Sequence, residues 1–418
     1  MPADQKRQQQ SITIIGINYW PEKTGIAPYT SGLAENLAAA GHKVHVVTAY
    51  PHYPEWRTAE GYTGLSRTEH INGVAVYRKR SYVPASPSPI SRLMLEMTFA
   101  LRAVFSNWKK PDVIISVTPS LISTLAVQLR LRLTPKNQRV PLGIWVQDLY
   151  GIGVAETGTL GTRSAKLMSA IESYALRNSS RVAVIHERFK HVLTTTMKID
   201  DSRIDVIRNW NHSKLGHLNN REDERRRLKW AKDEFVVLHA GNMGVKQGLH
   251  NVVAAAKLAQ SQGLKIKFVL LGDGNQRKSL QALAGPCNRV TFLDPLPDEL
   301  FSSAIQAADV LLVNELESLS SMAVPSKLTT YFASGIPIIA ATDSDSVTAG
   351  EISASGAGIT ISPNDPEALL RSVEALRLDP HNARRIGLNG PIFRDRNLSE
   401  NAAMVSMQNW IAKMKANK

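Results

Sequence analysis

The sequence predicts an α/β protein of two doubly wound domains, and three observations carry that prediction. The 418 residues are more than one ordinary core accommodates. Short apolar strand patterns alternate with helix patterns in two successive series along the chain. A polar, charge-dense segment at residues 215–232 interrupts the alternation, and we place the interdomain region around residues 209–222. We therefore expect two such domains facing each other across a cleft, with disorder only in residues 1–10.

The first series opens with a strand, a helix and a second strand, the order of a parallel βαβ unit. Residues 12–17 are the first strand, and the helix that follows has Pro28 in its first turn and ends at Gly41. Residues 44–49 form the second strand. Further apolar runs predict the other strands of an N-terminal domain over residues 11–212, at residues 112–117, 141–147 and 181–186.

The second series predicts a C-terminal domain over residues 213–392. Helical patterns lie between its strands, including one near residues 249–261. Ligands of open parallel sheets bind beyond the carboxyl ends of the strands, so the residues just after each strand are the first candidates for a site. The predicted strands are residues 235–241, 265–272, 290–293, 308–314 and 336–341.

Composition limits the functional classes. The single cysteine, Cys287, excludes an intramolecular disulfide and a cysteine-rich zinc site. No apolar run reaches the ~18 residues that a membrane-spanning helix needs, and no secretory signal follows the charged N-terminus. These features favour a cytoplasmic protein. The formal net charge of +14 predicts an anionic partner, namely a phosphorylated substrate, an anionic lipid surface or nucleic acid, unless it is only a dispersed basic surface.

Residues 86–110 and 128–139 combine apolar and basic side chains. The first segment predicts a helix rich in Leu, Met, Phe and Trp. Such a helix can lie in a membrane interface, where each Lys or Arg beside an anionic surface contributes about 1 kcal/mol. The alternative is that its apolar face is an ordinary core contact. Nucleic acid is disfavoured, because no RNP, KH or helix-turn-helix pattern occurs.

The loops that follow the strands hold the candidate binding residues. No GxGxxG pattern follows the first strand, which argues against dinucleotide-dependent hydride transfer. Its loop instead holds Gly25 just before a helix, where backbone can approach a phosphate. Residues 241–248 (GNMGVKQG) place glycines, an amide and Lys246 between a strand end and a helix start, and the next strand ends in LGDG. The candidate phosphate-binding residues there are Gly241, Asn242, Gly272, Asp273 and Gly274.

A second helix start supplies another candidate anion site. Pro325 and Ser326 suit the first turn of a helix, Lys327 follows them, and the helix closes at Gly335. The unpaired N–H groups and the dipole at a helix N-terminus carry positive potential. We therefore expect Ser326 and Lys327 to contribute to binding a phosphorylated ligand.

These motifs together resemble retaining glycosyltransferases of family four. The resemblance rests on GNMGVKQGL, LGDG and VPSKL…ASGIPIIA, with GINYWPEKTGIAPYT and PHYPEW near the N-terminus, and it covers residues 12–410. The most similar subgroup is that of bacterial exopolysaccharide enzymes of the colanic-acid, N-acetylfucosaminyl type. The resemblance implies a GT-B fold of two Rossmann-like domains, with the nucleotide sugar in the C-terminal domain and the acceptor in the N-terminal domain. It also implies a last segment, residues 393–418, whose helix over residues 393–414 packs back on the N-terminal domain.

The resemblance also carries roles onto single residues. Lys246 matches the lysine that contacts the donor diphosphate, and Gly25 matches a loop glycine near the phosphates. Asp148 lies where family members keep a polar residue near the reacting sugar. Ser326 and Lys327 match a PSK motif of the subgroup.

The sequence departs from the family at the glutamates of the donor site. The second glutamate, which binds the ribose, corresponds to Thr330, and the first corresponds to Met322. Glu315 or Glu317 is a candidate substitute for the contact at Thr330. In addition, Asn242 replaces the arginine that often accompanies the family lysine.

The expected reaction is transfer from a nucleotide-diphosphate sugar to an acceptor hydroxyl. Positive groups that stabilise the leaving diphosphate are the largest expected contribution, and the resemblance implies that the leaving phosphate takes the acceptor's proton. We expect no metal, since Asp343 and Asp345, which have DxD spacing, lie in what we interpret as a solvated loop. The favoured acceptor is lipid-linked, at the inner face of the cell membrane, because that explains both the family match and the basic, apolar residues 86–139.

Two alternatives stay open. A nucleotide-sugar epimerase of the same fold needs carboxylate and histidine acid/base pairs that the sequence does not assemble, although His52 and His186 follow strands of the N-terminal domain. A catalytically inactive nucleotide-sugar-binding protein of a polysaccharide assembly complex is compatible with Thr330 and Met322. It predicts nucleotide binding without turnover.

Overall fold

The chain consists of two compact units. A computed structural model describes residues 9–86, 88–149, 162–210, 220–317 and 326–416. The first unit is Met1–Asn209 with Ala403–Lys418, and the second is Trp210–Ala402. Most of the tail expected to be disordered and most of the segment expected to link the domains lie outside the described residues.

Each unit is built on one sheet. The strands of the first unit are β1 (Ser11–Ile15), β2 (Lys43–Ala49), β3 (Ser66–Ile71), β4 (Val74–Lys79), β5 (Val113–Val117), β6 (Leu142–Val146), β7 (Arg181–Val184) and β8 (Ile204–Val206). Within the described residues they lie in the order β3-β4-β2-β1-β5-β6-β7-β8, and only β3 and β4 pair antiparallel. The strands of the second unit are β9 (Phe235–Ala240), β10 (Ile266–Leu271), β11 (Val290–Leu293), β12 (Val310–Asn314), β13 (Ile338–Ala341) and β14 (Gly358–Ile361). They form a parallel sheet in the order β11-β10-β9-β12-β13-β14.

Helices connect the parallel strands and cover the sheets. Those before the second unit are α1 (Ala27–Ala39), α2 (Pro89–Val104), α3 (Leu121–Leu133), α4 (Thr162–Arg177) and α5 (Glu187–Thr195). Those that follow are α6 (Arg221–Arg227), α7 (His250–Ser261), α8 (Arg277–Ala284), α9 (Asp298–Ala307), α10 (Ser326–Ser334), α11 (Val347–Ser355), α12 (Pro366–Leu378), α13 (Pro380–Asn397) and α14 (Glu400–Ala416). Short 3₁₀ turns occur at Lys136–Gln138, Asp201–Arg203 and Val245–Gln247.

The strands predicted from the sequence are confirmed, each to within two residues at either end. Parallel strands covered on both faces have continuous apolar sequences, and every residue of β5 and β6 is buried. The hairpin of β3 and β4 and the edge strands β8 and β14 were not predicted. β3 has the sequence SRTEHI and no fully buried residue, so it lacks the apolar signal.

The two faces of the second sheet carry separate cores. Val236 and Leu238 of β9 lie in one core and Val237 in the other, because side chains alternate along a strand. Residues of α9, α10, α11 and α13 belong to the first core, and residues of α7, α8 and α12 belong to the second. The second unit is therefore a doubly wound α/β domain, as the sequence predicted.

The C-terminal helix expected over residues 393–414 is two helices, so that prediction was wrong. α13 ends at Asn397, and α14 begins at Glu400. Between them, Ser399 Oγ accepts a hydrogen bond from the Ala402 amide at 3.2 Å. A serine that caps backbone amides in this way favours a new helix start over continuation of the helix before it.

Helix α14 packs on the first unit at a glycine of β6. A Cβ placed on Gly143 would lie 2.5 Å from Met414 Sδ and 2.6 Å from the Trp410 ring. Both of these side chains are buried. The absence of a side chain at Gly143 therefore allows α14 to reach the sheet.

We expect Gly143→Ala to destabilise the protein by about 1–3 kcal/mol, because the added methyl overpacks the contact with α14. Gly350→Ala is the matched control. Gly350 lies in α11 with nothing within 4 Å of an added Cβ, and alanine there favours the helix by up to about 1 kcal/mol. Thermal unfolding followed by circular dichroism measures both variants. Equal midpoints for Gly143→Ala and the wild type would contradict the packing argument.

Candidate functional site

The strand order of the second sheet reverses at β9, with β10 and β11 on one side and β12 to β14 on the other. In open α/β sheets, ligands bind at the carboxyl edge beside such a reversal. The loops there are residues 241–249 after β9 and residues 315–317 after β12. Met322 and the Ser326 side chain lie outside the described residues. The predicted residues that belong to this edge or to the start of α10 are Gly241, Asn242, Lys246, Gly272, Asp273, Gly274, Ser326, Lys327 and Thr330.

The glycines after β9 and β10 hold two loops against each other at backbone distance. A Cβ on Gly272 would lie 2.1 Å from the Gly241 carbonyl oxygen, and one on Gly274 would lie 2.5 Å from the Met243 oxygen. The Met243 amide donates a hydrogen bond to the Asp273 carbonyl oxygen at 2.8 Å. The glycines of the LGDG motif therefore serve loop packing. Donor contacts by these loop residues stay a prediction.

Lys246 lies on a well-anchored backbone with its side chain exposed. It belongs to the 3₁₀ turn Val245–Gln247, and its carbonyl oxygen accepts a hydrogen bond from the Leu316 amide at 2.9 Å. The buried Asn314 side chain donates to the Gln247 carbonyl oxygen at 2.9 Å. The end of β12 and the loop after it thus fix the loop after β9. Within the described residues, the Lys246 ammonium group makes no ion pair.

Lys327 is a cation in a largely desolvated position in α10. Its Nζ lies 3.3 Å from His239 Nε2, and a Cβ on Gly241 would lie 3.5 Å from the same Nζ. Burial lowers the pKa of Lys327 to about 8, against the opposing attraction of Glu315. In the described part of the chain no carboxylate lies within ion-pair distance of it. A charge held in this way gains most from an anionic ligand, which supplies the missing counter-charge.

His239 and Tyr331 are residues of this edge that the sequence analysis missed. His239 is fully buried, and its pKa is lowered well below 6.5, first by burial and then by the charge of Lys327. The imidazole is therefore neutral beside the lysine. The Tyr331 hydroxyl accepts a hydrogen bond from the Ala240 amide at 2.9 Å and so anchors α10 to the end of β9. In the sequence, each of these residues is a polar side chain near apolar neighbours. Hydrophobic periodicity does not distinguish such a residue from an ordinary core residue.

Neither residue that corresponds to a family glutamate is an acid, and the candidate substitutes Glu315 and Glu317 each accept hydrogen bonds from protein side chains. Thr330 lies in α10 and is only 9% exposed. Glu315, a candidate substitute, accepts hydrogen bonds from the hydroxyls of Thr342 and Thr348 through separate oxygens. Both of its oxygens therefore have protein partners. Glu317 is exposed and accepts one hydrogen bond from an asparagine side chain at 3.3 Å.

In the first unit, the loop after β1 is tied to the loop after β2. Gly25 has a φ of +64°, in the left-handed region that favours glycine, and it lies against the Tyr53 ring. Glu22, buried in the same loop, accepts hydrogen bonds from the His52 and Tyr53 amides, each at 2.8 Å. The sequence analysis missed Glu22, since one acid in a polar loop gives no distinctive signal.

Asp148 follows β6, and its side chain reaches solvent. The surrounding protein desolvates the carboxyl group enough to raise its pKa, while the hydrogen bond from the Leu149 amide at 2.8 Å opposes the rise. The Thr118 hydroxyl fixes the Asp148 backbone by donating to its carbonyl oxygen at 3.1 Å. His186, by contrast, caps α5, because its Nδ1 accepts a hydrogen bond from the Phe189 amide at 3.2 Å.

Two further findings concern membranes and metals. Across the described ranges, no helix combines the length and hydropathy needed to cross a membrane. The same residues contain no group of three or more His, Cys, Asp or Glu side chains placed to hold a metal ion. Asp343, of the DxD-like spacing, accepts a backbone hydrogen bond from the Ser346 amide at 3.0 Å at the start of α11.

Two α/β units, each built on a sheet of mainly parallel strands, are the architecture of the GT-B fold class. Solved structures of this class are similar over nearly the whole chain. Sucrose-phosphate synthase of Thermosynechococcus elongatus has a TM-score of 0.65 and 19% identity, over 98% of this chain and 100% of that chain. HepE of Anabaena in complex with UDP-glucose has a TM-score of 0.61 and 16% identity, over 97% of this chain and 100% of that chain. These likenesses establish the fold.

Sequence comparisons establish the family. Residues 24–210 match the glycosyl transferase 4-like domain, and residues 220–392 match the glycosyl transferases group 1 domain. The colanic acid biosynthesis glycosyl transferase WcaI of Escherichia coli K12 is 29% identical over 383 residues, 89% of this chain and 93% of that protein. WbjE, a glycosyltransferase of Pseudomonas aeruginosa, is 28% identical over 277 residues, 65% of this chain and 67% of that protein. The chain therefore belongs to the glycosyltransferases that join these two domains.

We expect the affinity for a nucleoside diphosphate to fall as the pH rises through about 8, because Lys327 loses its charge near its pKa. Titration calorimetry with UDP and GDP, from about pH 7 to about pH 10, measures this fall. Lys327→Arg should remove it, since a guanidinium stays charged over that range. An equally steep fall in Lys327→Arg would mean that another group controls the pH dependence.

Lys327→Met should raise the stability of the protein at neutral pH and lower its affinity for a nucleoside diphosphate. The folded-state pKa lies below the unfolded value of 10.5, so the unfolded chain binds more protons between these pH values and stability rises with pH there. The penalty for desolvating the charge is fully present below about pH 8, and the methionine variant lacks it. Thermal unfolding at about pH 7 and about pH 10 is the measurement. A gap between variant and wild type that does not narrow at the higher pH would count against this account.

Proposed function

We propose that this glycosyltransferase moves a sugar from a nucleoside-diphosphate sugar to a lipid-linked acceptor in the synthesis of a cell-surface polysaccharide. The observation that carries the proposal is that Lys246 and Lys327 both belong to the carboxyl edge of the second sheet and have no ion pair among the described residues. HepE, which has a similar fold, is bound to UDP and to UDP-glucose in its solved structures. WcaI is described as a glycosyl transferase of colanic acid biosynthesis. HepE therefore supports the proposed class of donor, and WcaI supports the proposed class of product.

The proposed reaction retains the configuration of the anomeric carbon. The bond from that carbon to the leaving diphosphate breaks, and its electron pair stays on the phosphate oxygen. The acceptor hydroxyl oxygen forms the new bond on the same face of the sugar, and the leaving phosphate takes the hydroxyl proton. Lys246 and Lys327 stabilise the charge that develops on the diphosphate, and preorganised charge of this kind is usually the largest contribution.

No metal ion is required, since two ammonium groups and the loop amides neutralise the diphosphate. Asp148 orients the sugar or the acceptor hydroxyl. The enzyme works as a peripheral protein at the inner face of the cell membrane, where a lipid-linked acceptor is presented.

The first test is release of nucleoside diphosphate from a panel of UDP-, GDP- and dTDP-sugars, with and without membrane extract. We expect one donor to be consumed in an extract-dependent way. Lys246→Ala should lower that rate by about 10²–10³-fold, as loss of one preorganised charge-stabilising group does. Lys257→Ala, which removes an exposed lysine from α7, is the matched control and should not change it.

The same panel separates the competing functions. Nucleotide binding without release under any condition would indicate an inactive binding protein. Conversion of the donor to an epimer without acceptor would indicate an epimerase. Release that is indifferent to the extract would argue against a lipid-linked acceptor, and nuclear magnetic resonance of the product's glycosidic bond decides whether configuration is retained.

Asp148→Asn should lower kcat for transfer by about 10²-fold, the cost of a misplaced reacting group, and leave nucleoside diphosphate affinity unchanged. The raised pKa of Asp148 adds a pH signature, because the carboxylate is the orienting form. As the pH is lowered, the wild-type rate should therefore begin to fall at a higher pH than that at which an ordinary aspartate becomes protonated. The Asp148→Asn variant should not show this fall. An unchanged kcat in Asp148→Asn would remove the residue from the mechanism.

A further inference from the structure

Helix α2 has apolar side chains on both of its faces. Leu95, Phe99 and Ala103 are buried in the core of the first unit. The opposite face is an apolar stripe that runs the length of the helix, although amphipathic surface helices carry polar residues there. Ile90 in the first turn and Phe105, the residue after the last turn, are 73% and 83% exposed. The exposed residues of the stripe are Ile90, Leu93, Met94, Met97, Leu101 and Phe105.

Helix α3 lies beside α2 and extends the stripe. Glu96 of α2 accepts a hydrogen bond from the first turn of α3 at 3.3 Å, and Arg130 of α3 donates to the Ser106 carbonyl oxygen at 2.7 Å. The two helices therefore run parallel and in contact. Leu129 and Leu133 of α3 are 59% and 79% exposed. These two leucines and the stripe of α2 together are named the α2–α3 apolar surface, and exposed apolar side chains concentrated on two adjacent helices indicate an interaction site.

The sequence around this surface is basic. Between residues 89 and 139 it has eight Lys and Arg and two acids, of which Glu96 is buried and Asp112 accepts a hydrogen bond from the Ser11 amide at 2.8 Å. Lys110 and Lys136 are exposed and make no ion pair within the described residues. Apolar side chains with cations beside them fit an anionic lipid headgroup layer over hydrocarbon. The same charge disfavours pairing of two copies through this face, because like charges would meet.

We propose that the α2–α3 apolar surface docks the protein on an anionic lipid bilayer. The inference rests on the proposed function for its purpose, since a lipid-linked acceptor has to be met at the membrane. Docking also brings one loop of the first unit close to the lipid. Arg92, in the first turn of α2, lies 5.1 Å from the centre of the Trp56 ring, and Trp56 and His52 belong to the loop after β2. The docked helix therefore holds that carboxyl-edge loop beside the bilayer.

The test is flotation of the full chain with phosphatidylcholine vesicles that contain about one third phosphatidylglycerol, and with pure phosphatidylcholine vesicles, at about 0.1 M and about 1 M salt. The wild type should float with the anionic vesicles, and less at high salt. Met97→Ser combined with Leu101→Ser should lower the partition coefficient at least about tenfold, because two inserting side chains are lost. Leu378→Ser with Leu388→Ser is the control, since these leucines of the second unit are 71% and 50% exposed. It should bind like the wild type.

A charge variant tests the electrostatic half of the proposal. Lys110→Glu with Lys136→Glu should weaken flotation with anionic vesicles at low salt and leave binding to neutral vesicles unchanged. All substituted side chains are exposed, and circular dichroism should show wild-type unfolding for each variant.

Three results would overturn the docking proposal. They are a wild type that does not float, a Met97→Ser, Leu101→Ser variant that floats equally well, and a wild-type dimer in sedimentation that this variant dissociates. None of these readouts depends on donor turnover. Vesicle binding without any nucleoside diphosphate release would therefore overturn the proposed function and leave the docking surface standing.

Discussion

The backbones of Gly241 and Gly272 pass each other too closely for any side chain, and the carboxyl edge of the second unit is built on that contact. A Cβ at Gly272 would lie 2.1 Å from the Gly241 carbonyl oxygen. The hydrogen bond from Met243 to Asp273 closes the same pair of loops. Because Gly241 also lies against the Lys327 side chain, the loop contact and the buried charge are neighbours. Charges fixed by the fold act on a developing anion without a cost of reorganisation.

Lys327 is the buried cation of this edge, and no carboxylate of the described residues forms an ion pair with it. Lys327 is desolvated beside a neutral His239, and Glu315 is hydrogen-bonded to two threonines rather than ion-paired with the lysine. Thr330 adds a hydroxyl where the resembled family has a carboxylate. An uncompensated cation lowers stability, and functional sites commonly carry local costs of this kind. In this protein the destabilising charge is that of Lys327, which an anionic donor would neutralise.

The sequence by itself determined the architecture and the edge of the sheet where the candidate site lies. Apolar runs are local signals, so the central strands, such as β5 and β12, were predicted to within two residues. The carboxyl edge follows from parallel order alone, and it placed Lys246 at a strand end and Lys327 at a helix start before any contact was known. The strands that escaped prediction are β3, which is polar, β4, which is buried on alternate residues only, and β8 and β14, which are short.

Only the tertiary structure decided which groups are paired and which faces are covered. The sequence of α2 has apolar residues on two faces, and nothing local distinguishes the face of Phe99, which joined the core, from that of Met97, which stayed exposed. The roles of His239 and Glu22 were likewise invisible, because each depends on atoms about 30 to 90 residues away. Burial and hydrogen bonding are properties of contacts between segments far apart along the chain. A local pattern therefore predicts elements and edges, while the charge balance and the open surface arise from packing.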